Sequence, residues 1–132
     1  MWDDVQANAT APFVFEGKDD YAAFIALAGD AGLHVVARLG PYVCGERTNG
    51  GVPLWMRSEA ACFRCSDPGW ESHMATALTA MFRHVEPLLA SSGGPIIALQ
   101  VENECVAGQR VGRVPLAHYH SHRASEPQVL WP

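Results

Sequence analysis

Apolar positions along this chain follow two different rhythms. Tyr21, Phe24, Ile25, Leu27 and Ala28 recur at helical spacing. Asp19 and Asp20 stand just before them, where negative charge favours the positive end of a helix, and Gly32 follows in a place suited to a left-handed closing residue. A helix is therefore predicted from Asp19 to about Gly32. A second helix is predicted from Asp67-Pro68, an oxygen side chain as cap and a proline in the first turn, where its missing N–H costs nothing. Met74, Leu78, Met81, Phe82, Val85 and Leu89 line one face of it, and Pro87 is expected to bend it near its end. The other rhythm is the short continuous run. His34 to Leu39 is apolar, β-branched at its centre and of strand length, and Pro41 ends it. Ile96 to Val101 is apolar except at Gln100, a pattern that fits a strand covered on both faces, as in parallel sheets.

Between these elements the chain is punctuated. Residues 3–18 read as polar and turn-like, with Phe13-Val14-Phe15 a short extended piece. Gly40 to Trp55 holds four glycines and two prolines and reads as a long shaped loop. Ser91 to Pro95 reads as a turn. The order loop, helix, strand, long loop, helix, strand predicts α/β units joined by crossover helices. Periodicity alone leaves a barrel and an open doubly wound sheet equally available, although no glycine-rich phosphate loop follows either strand. Beyond Glu104 the periodicity stops, and residues 106–132 read as an irregular C-terminal tail. His118, His120 and His122 would share one face of a strand and could bind a metal there; the irregular tail is the preferred reading.

Composition narrows the function classes. The chain has 132 residues, 48% of them apolar, and a formal charge of −5 from nine Lys or Arg against fourteen Asp or Glu. Such a chain packs rather than staying disordered. No basic patch invites nucleic acid or an anionic membrane. No apolar run approaches the ~20 residues of a membrane span, and Asp3 and Asp4 occupy the place of a signal peptide's basic start. Compartment and oligomeric state stay open. Cys62 and Cys65 form a CxxC, but no second pair stands at zinc-finger spacing and Phe63-Arg64 is not a redox signature, so the four cysteines (with Cys44 and Cys105) favour neither a metal nor a disulfide. No cofactor is expected.

The stretch Gly93 to Glu104 carries the chemistry: a turn feeds a buried strand that ends in Glu102-Asn103-Glu104. Polar groups at the exit of a buried strand are where barrel enzymes keep their reactive side chains. This stretch, with Arg38 to Glu46, Gly50 to Trp55 and Arg64-Cys65-Ser66-Asp67-Pro68, resembles the family 35 glycoside hydrolases, chiefly β-galactosidases. Trp2 and Phe13 to Gly17 look like that family's segment after its second strand. The likeness runs from Trp2 to Glu104. It implies that residues 1–105 are a fragment of a (β/α)8 catalytic barrel, from about the end of strand two to strand four, where a whole barrel needs roughly 250 residues. It implies retaining hydrolysis of terminal β-galactosides, with a β-galactoside or galactose-containing oligosaccharide as the partner. Glu104 matches the general acid/base, and Asn103 the amide near the sugar 2-hydroxyl. Cys44, Gly45 and Glu46 match the loop that holds the galactose hydroxyls. The family usually has an aromatic residue where Arg47 stands, and Tyr-Gly where Cys105-Val106 stands.

Cleaving a glycosidic bond requires a carboxylic acid to protonate the departing oxygen and then to act as base toward water. Retention also requires a second carboxylate roughly 5 Å away. In the family that nucleophile comes from strand seven, so none is assigned in this chain, and the isolated chain is expected to have little or no activity. The alternative is an inactive remnant that binds sugar or protein. Strand alternation would point Glu102 and Glu104 one way and Asn103 the other, so the alternation must break at the strand exit if Asn103 and Glu104 are both to meet a sugar. Glu102 is expected to pair with an arginine such as Arg38. Tyr42 and Trp55 either offer apolar faces to the sugar ring or serve ordinary packing.

Overall fold

The computed structural model describes residues 1–104 and 128–130. In chain order the elements are α1 (Trp2–Val5), α2 (Tyr21–Asp30), β1 (Val35–Gly40), α3 (Met56–Glu59), α4 (Pro68–Val85), β2 (Ile96–Val101) and β3 (Gln128–Leu130). The fold is mixed α/β. Its strands form one sheet in the order β1-β2-β3, parallel throughout, with Ala37 beside Leu99, Gly40 beside Val101 and Leu99 beside Val129. Parallel neighbours need a crossover, and α4 supplies it between β1 and β2.

Both long helices start and stop where their local chemistry directs. Asp20 caps α2 by accepting from the Ala23 amide, and Asp67 caps α4 by accepting from the Trp70 amide. Gly32, at φ 77°, lets the Leu33 amide reach back to the Ala28 carbonyl and close α2. Pro87 interrupts the helical pattern near its end as expected, but by stopping α4 rather than bending it. The α-helix ends at Val85, and Glu86–Leu88 tighten into a 3₁₀ turn around the proline, since Pro87 has no amide to extend the helical ladder.

The core lies between the helices and one face of the sheet. Trp70, Met74, Ala77, Met81 and Val85 of α4 meet Ile25, Ala37, Leu39, Leu99 and Val101 there. Each large apolar side chain so buried contributes roughly 1.5–3 kcal/mol. The α2 stripe is less buried than its spacing suggests. Ile25 is buried, but Phe24 and Leu27 are 72% and 66% exposed, and Leu33, Val36 and Ile97 also face out. The exposure of Ile97 also limits the two-sided covering expected of β2.

Three further differences concern the ends of the chain and the cysteines. Residues 3–5, read as loop, belong to α1, because Trp2 and Val5 on one side of that turn are both buried. Within the expected irregular tail, Gln128–Leu130 form β3 on the edge of β2; the remainder of the tail, Cys105 and the histidines 118–122 lie outside the described residues. Cys62 and Cys65 form a disulfide, closing a four-residue loop just before α4. Among the described residues no helix is long and apolar enough to cross a membrane, and no cluster of His, Cys, Asp and Glu is arranged to hold a metal ion.

A clasp joins the two long helices. The His84 ring stacks on Phe15 with centroids 4.2 Å apart and lies 3.1 Å from Asp20 Oδ1. The Ala23 amide holds the Asp20 carboxyl below its ordinary 3.8; burial opposes this and His84 adds to it. A carboxyl depressed in the folded state favours folding above its unfolded pKa, and that contribution is lost as pH falls from about 4 through the folded value. Asp20→Asn keeps the oxygen cap and removes the charge. The variant is expected to lose less stability than the wild type on acidification below about pH 4, measured as a smaller drop in the denaturation midpoint; identical pH profiles would refute the clasp.

Candidate active site

Parallel pairing of β1 and β2 brings their C-terminal ends side by side, and the Glu102 amide donates to the Gly40 carbonyl at 2.7 Å. The loop leaving β1 and the residues leaving β2 therefore share one end of the sheet. Tyr42, Cys44, Gly45 and Glu46 come from the first; Asn103 and Glu104 come from the second.

The β1 loop is folded upon itself. The Val43 amide donates to the Gly50 carbonyl at 2.8 Å and the Arg47 amide to the Cys44 carbonyl at 3.1 Å. Cys44, Gly45 and Glu46 are exposed, all with left-handed backbone at φ 59°, 56° and 53°. The loop is pinned to α1 by Arg47, whose Nη2 lies 2.9 Å from Asp3 Oδ2 and 2.7 Å from Asp4 Oδ1. Arg47 and the terminal amine hold the Asp4 carboxyl below its usual range against the opposing effect of burial. Gly50, at φ 63°, lies so close to Tyr42 that a Cβ there would overlap the edge of the ring at Cε2.

The β2 exit is tighter. Glu102 is fully buried and Asn103 8% exposed, while Glu104 is exposed. Glu102 and Glu104 adopt φ 69° and 47°, so the two-residue alternation of the strand does break here. The cation that meets Glu102 is Arg64, not Arg38. Arg38 is exposed on the strand, beside Gln100 in register and one residue from the buried Ala37 and Leu39 on either side. Arg64 Nη2 and Nε lie 2.9 and 3.1 Å from Glu102 Oε2, and Nη2 donates to the Asn103 carbonyl at 2.7 Å. The Arg64 guanidinium also lies over the Tyr42 ring, 4.2 Å from its centroid. Glu102 Oε1 is buried with no hydrogen-bond partner among the described residues.

One face of Tyr42 is thus taken by Arg64. Burial pushes its phenol up, with the Cys44 thiol adding to the shift. Trp55 is committed to packing: its ring meets Trp2 and His73 edge to face at 5.8 and 5.3 Å, and its Nε1 donates to the Gln6 carbonyl at 3.2 Å. Reading the sequence missed what Arg64 does. It lies 38 residues from Glu102, with no local pattern joining them; a buried carboxylate at a strand exit was the available hint that some arginine must come to it.

The sequence profile of glycosyl hydrolases family 35 matches residues 1–125. A β-galactosidase of Xanthomonas manihotis is 44% identical over 93 residues, 70% of this chain and 16% of the relative. The human β-galactosidase is 39% identical over the same share of this chain and 14% of its own length. A probable β-galactosidase 2 of Dictyostelium discoideum is 34% identical over 105 residues, 79% of this chain and 14% of the relative. The chain thus spans a small fraction, 14–16%, of the length of the curated relatives it matches.

The contact between Gly50 and Tyr42 yields a direct test. Gly50→Ala must either abandon the left-handed backbone or displace the ring. The backbone alone costs about 1–2 kcal/mol, so a lower chemical-denaturation midpoint is expected together with loss of the ring-current shift that Tyr42 imposes on the Arg64 protons. A variant as stable as wild type with that shift intact would show the contact to be looser than described.

Proposed function

This chain belongs to glycosyl hydrolase family 35, and from that premise we propose that it supplies the acid/base half of a retaining β-galactosidase site. Residues 1–105 correspond to the part of a (β/α)8 barrel from the end of strand two to strand four, with β1 as the third strand and β2 as the fourth. Glu104 protonates the departing glycosidic oxygen and then takes a proton from water. Asn103 binds beside the sugar 2-hydroxyl, Cys44, Gly45 and Glu46 hold the other galactose hydroxyls, and Tyr42 offers the sugar an apolar ring face. The nucleophilic carboxylate is assigned to none of these residues. The partner is a β-galactoside or a galactose-containing oligosaccharide.

The observation that carries this reading is the common end of the sheet. The β1 loop and the β2 exit meet through the 2.7 Å bond between Gly40 and Glu102, and Glu104 is exposed there with no ion pair among the described residues. An acid that must reach a substrate needs that exposure, while the carboxylate two residues earlier is buried and neutralised. Exposed Glu46 stands in the neighbouring loop, where a carboxylate accepting from sugar hydroxyls discriminates against sugars that lack them.

The chemistry makes the role of Glu104 separable from that of a folding residue. In a polypeptide that joins this chain to the remaining strands of a family 35 barrel, Glu104→Gln is expected to lower kcat on alkyl β-galactosides by about 10²–10⁴-fold. Aryl β-galactosides whose phenol departs without a proton are expected to lose far less in the bond-breaking step. Equal loss on both substrate types would remove Glu104 from the acid role. The 132-residue chain by itself is expected to show no turnover, and hydrolysis by it that Glu104→Gln abolishes would overturn the assignment of the nucleophile to another segment.

A further inference from the structure

We infer that Arg64 is a positioning residue for the Asn103–Glu104 pair, an inference that rests on the reading of that pair as sugar-facing. Arg64 joins three parts that are remote in sequence: the β1 loop at Tyr42, the buried carboxylate of Glu102, and the main chain of Asn103. The bond to the Asn103 carbonyl is the telling one. Asn103 stands between two non-glycine residues with left-handed backbone, Glu102 and Glu104. Each such residue costs about 1–2 kcal/mol against its relaxed conformation. Relaxation at either one would re-aim the exposed carboxyl of Glu104. A donor fixed on the carbonyl between them opposes that rotation.

The donor is itself fixed. Arg64 lies inside the ring closed by Cys62 and Cys65, with its own backbone at φ 56°. The ring is anchored on both sides by one carboxylate: Asp67 Oδ2 accepts from the Ala61 amide at 3.3 Å and Oδ1 from the Trp70 amide at 3.0 Å. Long arginine side chains lose much rotamer freedom when ordered; here the covalent ring and the Tyr42 face restrict it before any ligand arrives. Glu102 adds the reason the guanidinium cannot leave. A fully buried carboxylate, its Oε1 without a partner among the described residues, would become an uncompensated charge.

Lysine separates charge from geometry at this position. It keeps a cation for Glu102 but has no planar fork to serve Glu102 and the Asn103 carbonyl together. In the isotopically labelled 132-residue chain, Arg64→Lys is expected to fold, to move the Asn103 carbonyl ¹³C resonance, and to leave the Met81 and Val85 resonances in place. Its affinity for galactose, titrated by the same spectra, is expected to fall about tenfold, the equivalent of roughly 1.4 kcal/mol. Cys62→Ser combined with Cys65→Ser opens the ring while retaining Arg64, and is expected to move the same carbonyl resonance. An Asn103 resonance unmoved in folded Arg64→Lys overturns the inference, as does unchanged galactose affinity in a chain that binds it. If Arg64→Lys does not fold, the serine pair carries the test on that resonance with the same two outcomes. Wild-type chain without any galactose-dependent shift counts against the sugar-facing reading, and the Asn103 resonance then decides the positioning alone.

Discussion

A carboxylate taken wholly out of water needs a cation, and in this molecule that demand organises one end of the sheet. Glu102 leaves β2 into the interior, and Arg64 comes from the segment before α4 to meet it. Losing one partner of such a pair typically costs 3–5 kcal/mol, because the remaining charge stays buried. The segment between the two helices is therefore tied to the strand exit, and with it Tyr42 and the β1 loop. The disulfide, the Asp67 cap and the Tyr42–Gly50 contact all lie along this same line of connection.

The opposite requirement governs Glu104. Two residues further along the chain, a carboxyl of the same chemical type is in water with no arginine beside it in the described contacts. The left-handed backbone at Glu102 and Glu104 separates these two environments over a single intervening residue. One glutamate is held inside the scaffold by Arg64, and the other faces solvent. The parallel register of β1 and β2 then supplies, from the neighbouring strand, a loop whose exposed residues face the same solvent.

Much of the scaffold could be read from the chain itself because its signals are local. Asp67-Pro68 announces α4, Gly32 closes α2, and the β-branched run at Val35-Val36 and the apolar run from Ile96 mark the two main strands. What could not be read depends on distant partners. The turn at Trp2–Val5 exists because its apolar side is buried and its acidic side meets Arg47 more than forty residues away. The Cys62–Cys65 bond depends on a loop shape that spacing does not specify. The partner of Glu102 was sought on the adjacent strand, at Arg38, whereas strand alternation turns Arg38 outward and the pairing comes from the chain crossing above. At the candidate site the motifs were legible, Arg64 within one of them, while the connection that Arg64 makes between them was not.

Phe24, Leu27, Leu33, Val36 and Ile97 leave a substantial oily surface in contact with water. Apolar side chains exposed in number on one small domain favour self-association. Among the described residues β1 is an edge strand, and the peptide groups on its outer margin can recruit another strand. Replacing Phe24 and Leu27, both exposed on α2, with charged residues therefore lowers the apolar area this molecule shows to water without touching its core.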